Sequence, residues 1–343
     1  VLRTLSLKNI RGFVDATIEL SPVTVFVGTN GSGKTTVLEC LDMLCRASQT
    51  PHFSRPAQRF FTGRLAHDQL ITRGETSAQA TIESEVGTYR LSIGADTKWA
   101  QPGEPLPRSM VFQLVPARLS TPSYLTQAEP HLEGDGGGLA AILDYLIGLR
   151  DGSIERIEED LRAIVPQARR IRVIPQRIVF DELVEDDPRD DTRRSVTRSH
   201  MGSRFELEFG KMGFIPASAL SEGTLIVIGI LTAIHREAGP TLVLLDDIDR
   251  GLHPVAQGSL IQALRALVER RGDLQLVCTT HSSYALDAFA ADEVHVTWMD
   301  SDGVAYHRKL SEHPEWPEWK SVMDPGEFWS TVGERWVGEL KGT

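Results

Sequence analysis

Residues 28–35 read Gly-Thr-Asn-Gly-Ser-Gly-Lys-Thr, and no other segment constrains the fold as tightly, because every fixed position of G-x-x-x-x-G-K-[ST] is filled. The flanks give this octapeptide its meaning. The apolar run from Val23 to Val27 predicts a strand, and Thr36-Val37-Leu38-Glu39-Cys40-Leu41 predicts the start of a helix. Glycines at such a junction let successive amides turn inward around phosphate oxygens, and the helix start adds free N–H groups and a positive dipole end. Asn30, Gly31, Ser32, Gly33, Lys34, Thr35 and Thr36 are therefore the expected phosphate-binding set for ATP. Lys34 would reach the β- and γ-phosphates, and the Thr35 hydroxyl would sit on Mg²⁺.

Two later apolar runs extend the pattern. Thr241-Leu242-Val243-Leu244-Leu245 reads as a central parallel strand buried on both faces, and it ends at Asp246-Asp247. A carboxylate at that end can hold Mg²⁺ or its water ligands, which assigns Asp246 to the metal. Asp247, one step further, is the residue to orient or deprotonate the attacking water. The run from Leu274 to Thr280 is a third strand, and it ends at His281, a histidine suited to sensing a γ-phosphate by hydrogen bonding.

The 343 residues, 41% hydrophobic and 24% charged, suit one large core or a core plus a smaller module. No run of 18 apolar residues appears, so no transmembrane helix is expected. The opening Val1-Leu2-Arg3-Thr4-Leu5 reads as a strand rather than a signal peptide. Cys40, Cys45 and Cys278 lack metal-ligand spacing and fit a reducing compartment, so the expected location is cytoplasmic. A net charge of −11 argues against general polyanion binding. Local basic clusters remain at Arg169, Arg170, Arg172 and Arg177, and at Arg193, Arg194, Arg198 and Arg204. With Asp186, Asp187, Asp190 and Asp191 among them, they read either as a nucleic-acid contact or as salt-bridged surface.

Alternating polarity near Leu2–Leu7, Ala16–Leu20 and Thr81–Ile93 predicts antiparallel strands attached to one edge of the nucleotide-binding sheet. Helices are predicted over 139–149 and 154–164, the second ended by Pro166, with a loop or hairpin over 184–204. No heptad run supports a long coiled coil. The expected organisation is an N-terminal ATPase lobe over 1–115, an inserted lid over 116–210, a C-terminal lobe over 211–298 and an aromatic-rich tail over 299–343. In the tail, Trp316, Trp319, Phe328, Trp329 and Trp336 stand among glutamates and read as core packing or a protein docking surface.

On these residues the sequence resembles the ABC-type ATPases of the RecF/SMC/OLD superclass, in particular compact bacterial AAA family ATPases with a RecF-like core. Gly28–Thr35 looks like their Walker A motif, Leu220-Ser221-Glu222-Gly223-Thr224 like their signature, and Leu244-Leu245-Asp246-Asp247 like Walker B. Asp249-Arg250-Gly251-Leu252-His253-Pro254 occupies the D-loop region, and Thr280-His281-Ser282 resembles the switch-histidine segment. The resemblance implies an α/β P-loop NTPase fold of ABC type with an antiparallel β-subdomain and an inserted, mainly helical lid. It implies ATP and Mg²⁺ as ligands, and Lys34, Asp247 and His281 as catalytic residues. It also implies an ATP-dependent head-to-tail homodimer in which Ser221 and Gly223 serve nucleotide held by the opposite subunit. Arg11 is implied near the nucleotide, with a structural salt bridge as its other reading.

Two departures bear on activity. Asp247 stands where the family has Glu, and the missing methylene displaces the carboxylate by about 1 Å, so slow hydrolysis is expected rather than a dead site. Glu222 replaces the second signature glycine and is expected to point away from phosphate or to form a salt bridge; Gln113 is the candidate Q-loop residue. The expected function is an ATPase regulating a nucleic-acid transaction, in DNA repair or anti-phage defence, with DNA contact and a separate nuclease or toxin effector. A nucleotide-gated assembly module with little turnover is the alternative. A transporter motor is disfavoured by the RecF-like opening, the long insert and the unusual signature, and no membrane partner is expected.

Overall fold

Segments of alternating polarity and segments that are apolar throughout end in different sheets. The computed structural model describes residues 1–49, 70–94, 98–100, 104–125, 130, 132–187, 190–236 and 239–339; the side chains of residue 99 and of 182–194 lie outside that description. In chain order the strands are β1 (Leu2–Ile10), β2 (Phe13–Glu19), β3 (Val23–Gly28), β4 (Ala78–Ser84), β5 (Gly87–Ile93), β6 (Lys98–Ala100) and β7 (Ser109–Phe112). They continue with β8 (Ala168–Asp187), β9 (Asp190–Phe209), β10 (Phe214–Pro216), β11 (Leu242–Leu245), β12 (Gln275–Thr280), β13 (Val294–Met299) and β14 (Ala305–Lys309). The longer helices are α1 (Lys34–Ser48), α2 (Leu139–Leu149), α3 (Ser153–Ile164), α4 (Glu222–His235), α5 (Pro254–Arg271) and α6 (Pro325–Val332).

The chain divides into two compact units, 1–112 with 240–343, and 113–239. The first holds two sheets. An antiparallel sheet runs in the order β2-β1-β4-β5-β6, with the buried residues Leu5 and Leu7 of β1 opposite Ile18 and Ala16 on one side and Ile82 and Ala80 on the other. The second sheet runs β14-β13-β3-β12-β11-β7 and is parallel except at β14. Its strands β3, β11 and β12 are buried along their whole length, as strands covered on both faces must be. Because β12 lies between β3 and β11, the ends of three chain segments converge where an α/β sheet places its ligands.

The antiparallel strands do not extend an edge of the nucleotide sheet, which corrects that expectation. Their alternation leaves a polar face that a strand inside the parallel sheet could not bury, so they form a sheet of their own. The two sheets share a core in which Leu5, Ile82 and Leu91 meet Leu38 and Leu41 of α1, Phe26 and Leu244. Buried Gln275 adds a polar tie: its Oε1 accepts from the Leu2 amide and its Nε2 donates to the Leu2 carbonyl, both at 2.9 Å.

In the second unit α2 and α3 occupy the two predicted helical stretches, and the loop or hairpin expected over 184–204 is a hairpin that is much longer, from 168 to 209. The 20-residue strands β8 and β9 pair from Ala168↔Phe209 to Asp187↔Asp190, so the mainly helical insert is corrected to a mixed one. The β-branched residues Ile171, Val173, Ile174, Ile178 and Val179 give this stretch strand propensity. Arg172 and Arg204 both pair with Glu206, at 2.6 and 2.8 Å, and Arg177 donates to Ser199 Oγ at 3.0 Å. The side chains of Asp186, Asp187, Asp190, Asp191, Arg193 and Arg194 lie outside the described ones.

Among the described residues no helix is long and apolar enough to cross a membrane. All three cysteines are free and buried, and burial pushes the Cys40 thiol up to about 12. The C-terminal aromatics pack onto the first unit. Phe328 and Trp336 are buried around His313, whose ring lies 5.1 and 4.8 Å from theirs, and the Gly326 amide donates to Asp287 Oδ1 at 2.9 Å.

Candidate nucleotide site

The loop after β3 owes its path to glycines. Gly28 has φ 149°, and an added Cβ would lie 2.1 Å from the Thr297 carbonyl oxygen, so only glycine lets β13 approach there. Gly31 and Gly33, at φ 82° and 100°, turn the chain into α1, which begins at Lys34. Ser32 is buried, with its Oγ 2.6 Å from Thr297 Oγ1. Lys34 Nζ donates to the carbonyls of Gly28 and Thr29 at 2.8 and 2.9 Å. Burial lowers its pKa, and the charges of Asp247 and Asp246 oppose that shift.

The acidic side of the site is laced to β12. Thr35 Oγ1 lies 3.2 Å from both carboxylate oxygens of Asp246. Thr279 Oγ1 donates to Asp246 Oδ1 at 2.7 Å and accepts from the Asp247 amide at 2.8 Å. Next to it, Thr280 Oγ1 and the His281 amide both donate to Asp249 Oδ1, at 2.6 and 3.2 Å. Asp247 has φ 56°, and its Oδ1 lies 3.7 Å from His281 Nε2. Burial, then the neighbouring Asp246 charge, raises the Asp247 pKa, with His281 pulling the other way.

Arg11, also left-handed at φ 49°, donates from Nη1 to Thr36 Oγ1 at 3.1 Å and to Glu39 Oε2 at 2.8 Å. It therefore lines the cleft and carries a salt bridge at once. Arg11, Asn30, Gly31, Gly33, Lys34, Thr35, Thr36, Asp246, Asp247 and His281 all border one cleft of about 450 Å³. Ser32 is beneath the loop rather than on the cleft wall. Ser221 and Gly223 belong to the second unit, where Ser221 Oγ caps α4 by accepting from the Thr224 amide at 3.2 Å, Gly223 is buried and Glu222 is exposed. Gln113 is the first residue of that unit and is exposed.

The cleft combines a cation, an amide-rich loop and a hard-oxygen pair. Among the described residues no group of three His, Cys, Asp or Glu side chains could hold a metal, so an ion here needs oxygens from nucleotide and water. Thr35 and Asp246 fit Mg²⁺ on those terms, since that ion keeps waters and takes one or two protein oxygens plus phosphates. Sequence reasoning gave no site role to Thr279 or Glu39 and placed Asp249 only in the D-loop region. Thr279 had a readable signal, because two threonines that close an apolar buried strand need polar partners at its end.

Two family models match the chain: one described as "AAA domain, putative AbiEii toxin, Type IV TA system" over residues 125–287, and one described as "AAA domain" over 4–133. The DNA replication and repair protein RecF of Nocardioides sp. is 31% identical over 168 residues, covering 48% of this chain and 37% of that protein. The RecF protein of Paenarthrobacter aurescens is 36% identical over 95 residues, covering 27% of this chain and 23% of that protein. The chain thus spans well under half the length of these curated relatives. Among solved structures, the SmcHead bound to the C-winged helix domain of ScpA has a TM-score of 0.59 at 14% identity, over 92% of this chain and 99% of that one. The Smc head domain with an extended coiled coil derived from Pyrococcus furiosus gives 0.57 at 13% identity, over 93% and 99%. At these identities the likeness shows the fold.

Proposed function

Because the chain belongs to the ABC-type ATPases of the RecF/SMC superclass, we propose that it binds and slowly hydrolyses ATP as a head-to-tail homodimer that regulates a nucleic-acid transaction. The observation that carries the catalytic part is the Thr279 hydroxyl, which fixes the Asp246 carboxylate and the Asp247 amide in one geometry beside Thr35.

In this reading the loop amides from Gly31 to Thr36 receive the phosphates, and Lys34 Nζ exchanges its two loop carbonyls for phosphate oxygens. Thr35 and Asp246 hold Mg²⁺, which when bound neutralises charge on the phosphoryl oxygens. Asp247 orients the attacking water and accepts its proton, a role helped by a raised pKa. His281 contacts the γ-phosphate and steadies Asp247. Ser221 Oγ accepts from the Thr224 amide and lies 2.8 Å from Thr224 Oγ1; with that threonine hydroxyl as the donor of the pair, the Ser221 O–H turns to nucleotide on the opposite subunit, where the Gly223 amide adds a second contact.

The names of the RecF relatives support a role in DNA replication and repair, and the toxin and toxin–antitoxin system in the family description support the defence reading; a separate nuclease or toxin effector and a cytoplasmic location are parts of the same proposal. Phosphate release and solution mass with ATP, measured on the wild type and Asp247→Asn, test the core of this proposal. Turnover should be lost and an ATP-bound dimer retained in the variant. Undiminished turnover removes Asp247 from catalysis, and a monomer with ATP bound removes the dimer. Turnover with and without duplex DNA across salt concentrations tests the nucleic-acid part. The shorter Asp247 arm favours a second reading, an assembly module with little turnover, which a dimer without phosphate release by the wild type would establish.

A further inference from the structure

The sheet of the second unit runs β10-β9-β8, so β8 is an edge strand over its 20 residues. Which of its backbone groups face outward follows from the register. Ser203 on β9 exchanges two backbone hydrogen bonds with Ser123, at 3.0 and 2.8 Å, on the side away from β8. Opposite residues of an antiparallel pair aim their backbone groups either at each other or both away. Pro175 lies opposite Ser203 and therefore faces outward. The register is unbroken from Ile171 to Glu185, so Val173, Arg177, Val179 and Asp181 face outward too. Ile171 agrees, since its amide donates outside the ladder to Glu158 Oε1 of α3 at 2.7 Å. Beyond that cap the edge is open. Pro175, Arg177 and Asp181 are exposed, Val179 is 60% exposed, and no described strand pairs with β8 on that side.

An open edge of this length is a template for another strand, and folded chains guard such edges with proline and charge. Pro175 fits that pattern, because its missing N–H costs the hairpin no bond. The charges do not fit it. Arg177 and Asp181 have opposite signs and stand symmetrically about Val179, on the same face of the ribbon. Arg177 donates to Ser199 Oγ and Asp181 accepts from Thr197 Oγ1, and among the described residues neither has an ion-pair partner. Two copies of β8 laid antiparallel, with the two-fold axis at Val179, set each Arg177 against Asp181 of the other copy. On the opposite face the same register sets Ile178 against the other copy's Phe180, a β-branched–aromatic pair. Outward amides and carbonyls of Arg177, Val179 and Asp181 then meet as hydrogen-bonded pairs. An axis at Arg177 would instead oppose two guanidinium groups.

We propose that the β8 edge from Arg177 to Asp181 binds the same edge of a second copy of this chain, making one continuous antiparallel sheet across a two-fold axis. This contact uses no nucleotide, so it stands or falls separately from the ATP-dependent head-to-tail dimer.

Sedimentation equilibrium of the full chain without nucleotide, over a concentration series, tests it. The wild type should associate to a dimer. Arg177→Asp and Asp181→Arg, each alone, oppose like charges and should weaken that dimer about tenfold or more. An equal mixture of the two variants restores opposite charges across the axis and should dimerise again, as should the double exchange in one chain. Circular dichroism checks that each variant folds. If a charge variant does not fold, Val179→Pro takes its place: that amide points away from β9, so proline removes only a donor between copies and should also weaken the dimer. A wild type that stays monomeric, folded single variants that dimerise as the wild type does, or a mixture that does not reassociate overturns the proposal.

Discussion

Asp247 Oδ1 faces His281 Nε2 across 3.7 Å, and the aspartate reaches that position on a left-handed backbone at φ 56°. A non-glycine residue held there costs of order 1 kcal/mol or more, and the amide bond from Asp247 to Thr279 Oγ1 is part of what sustains it. The strain sits where the chemistry needs a carboxylate. Lengthening the arm by one methylene in Asp247→Glu should raise kcat by about tenfold, whereas Asp247→Asn should lower it by about 100-fold or more. Steady-state phosphate release decides both. A fall in kcat for Asp247→Glu would mean that the shorter arm is the fitted one.

Thr279→Val separates positioning from binding. Valine keeps the shape but strands the Asp247 amide and removes a donor from Asp246, which should cost about 1–3 kcal/mol of stability by urea unfolding. Lys34 and the glycine loop are untouched, so kcat should fall about 10- to 100-fold with KM for ATP nearly constant. Thr279→Ser restores the hydroxyl and should recover most of the loss.

How much of this was legible in the chain varied with the range of the interaction. The phosphate loop and the acid-ending strand are local, and G-x-x-x-x-G-K-T after Val23–Val27 declares strand, turn and helix within a few residues. That Thr279 needs a polar partner could be read from its place at the end of an apolar strand, but not which one, because Asp246 and Asp247 lie 33 and 32 residues away and meet it only once β12 inserts between β3 and β11. The β8–β9 ribbon was half legible: a loop or hairpin was expected over 184–204, but the density of arginine and aspartate hid how far the paired strands extend, from 168 to 209. Arg172 opposite Glu206 shows why, since cross-strand pairs turn that charge into strand pairing.

The aromatic tail splits into core and surface. Phe328 is 1% exposed and meets the rings of Trp316 and His313 at 5.0 and 5.1 Å, so Phe328→Ala should cost about 3–5 kcal/mol. Trp319 is 40% exposed, and Trp319→Ala should stay within about 0.5 kcal/mol. If the tail docks an effector, Trp319→Ala is the variant that lowers copurification without lowering stability. Unchanged copurification removes Trp319 from any docking surface.

Acid should loosen the same tail, and His313 supplies the reason. Its Nδ1 accepts from the Glu315 amide at 3.1 Å, which requires that nitrogen to be unprotonated, and burial holds its pKa below the ordinary histidine value against the opposing charge of Glu315. The unfolded ring titrates near 6.5, so as pH falls the unfolded chain takes up the proton first. The stabilisation is complete above about pH 6.5 and is lost progressively below it. Amide exchange across residues 325–339 should therefore quicken between pH 7.5 and 5.5, after correction for the intrinsic rate. The local exchange rate is the right readout, because His295 and His307, lowered by burial to about 3 and about 4, also make global unfolding acid-sensitive. His313→Gln can keep the hydrogen bond through its carboxamide oxygen without titrating, and it should flatten the pH dependence of exchange in this segment. An unchanged slope in that variant would assign the acid response to another group.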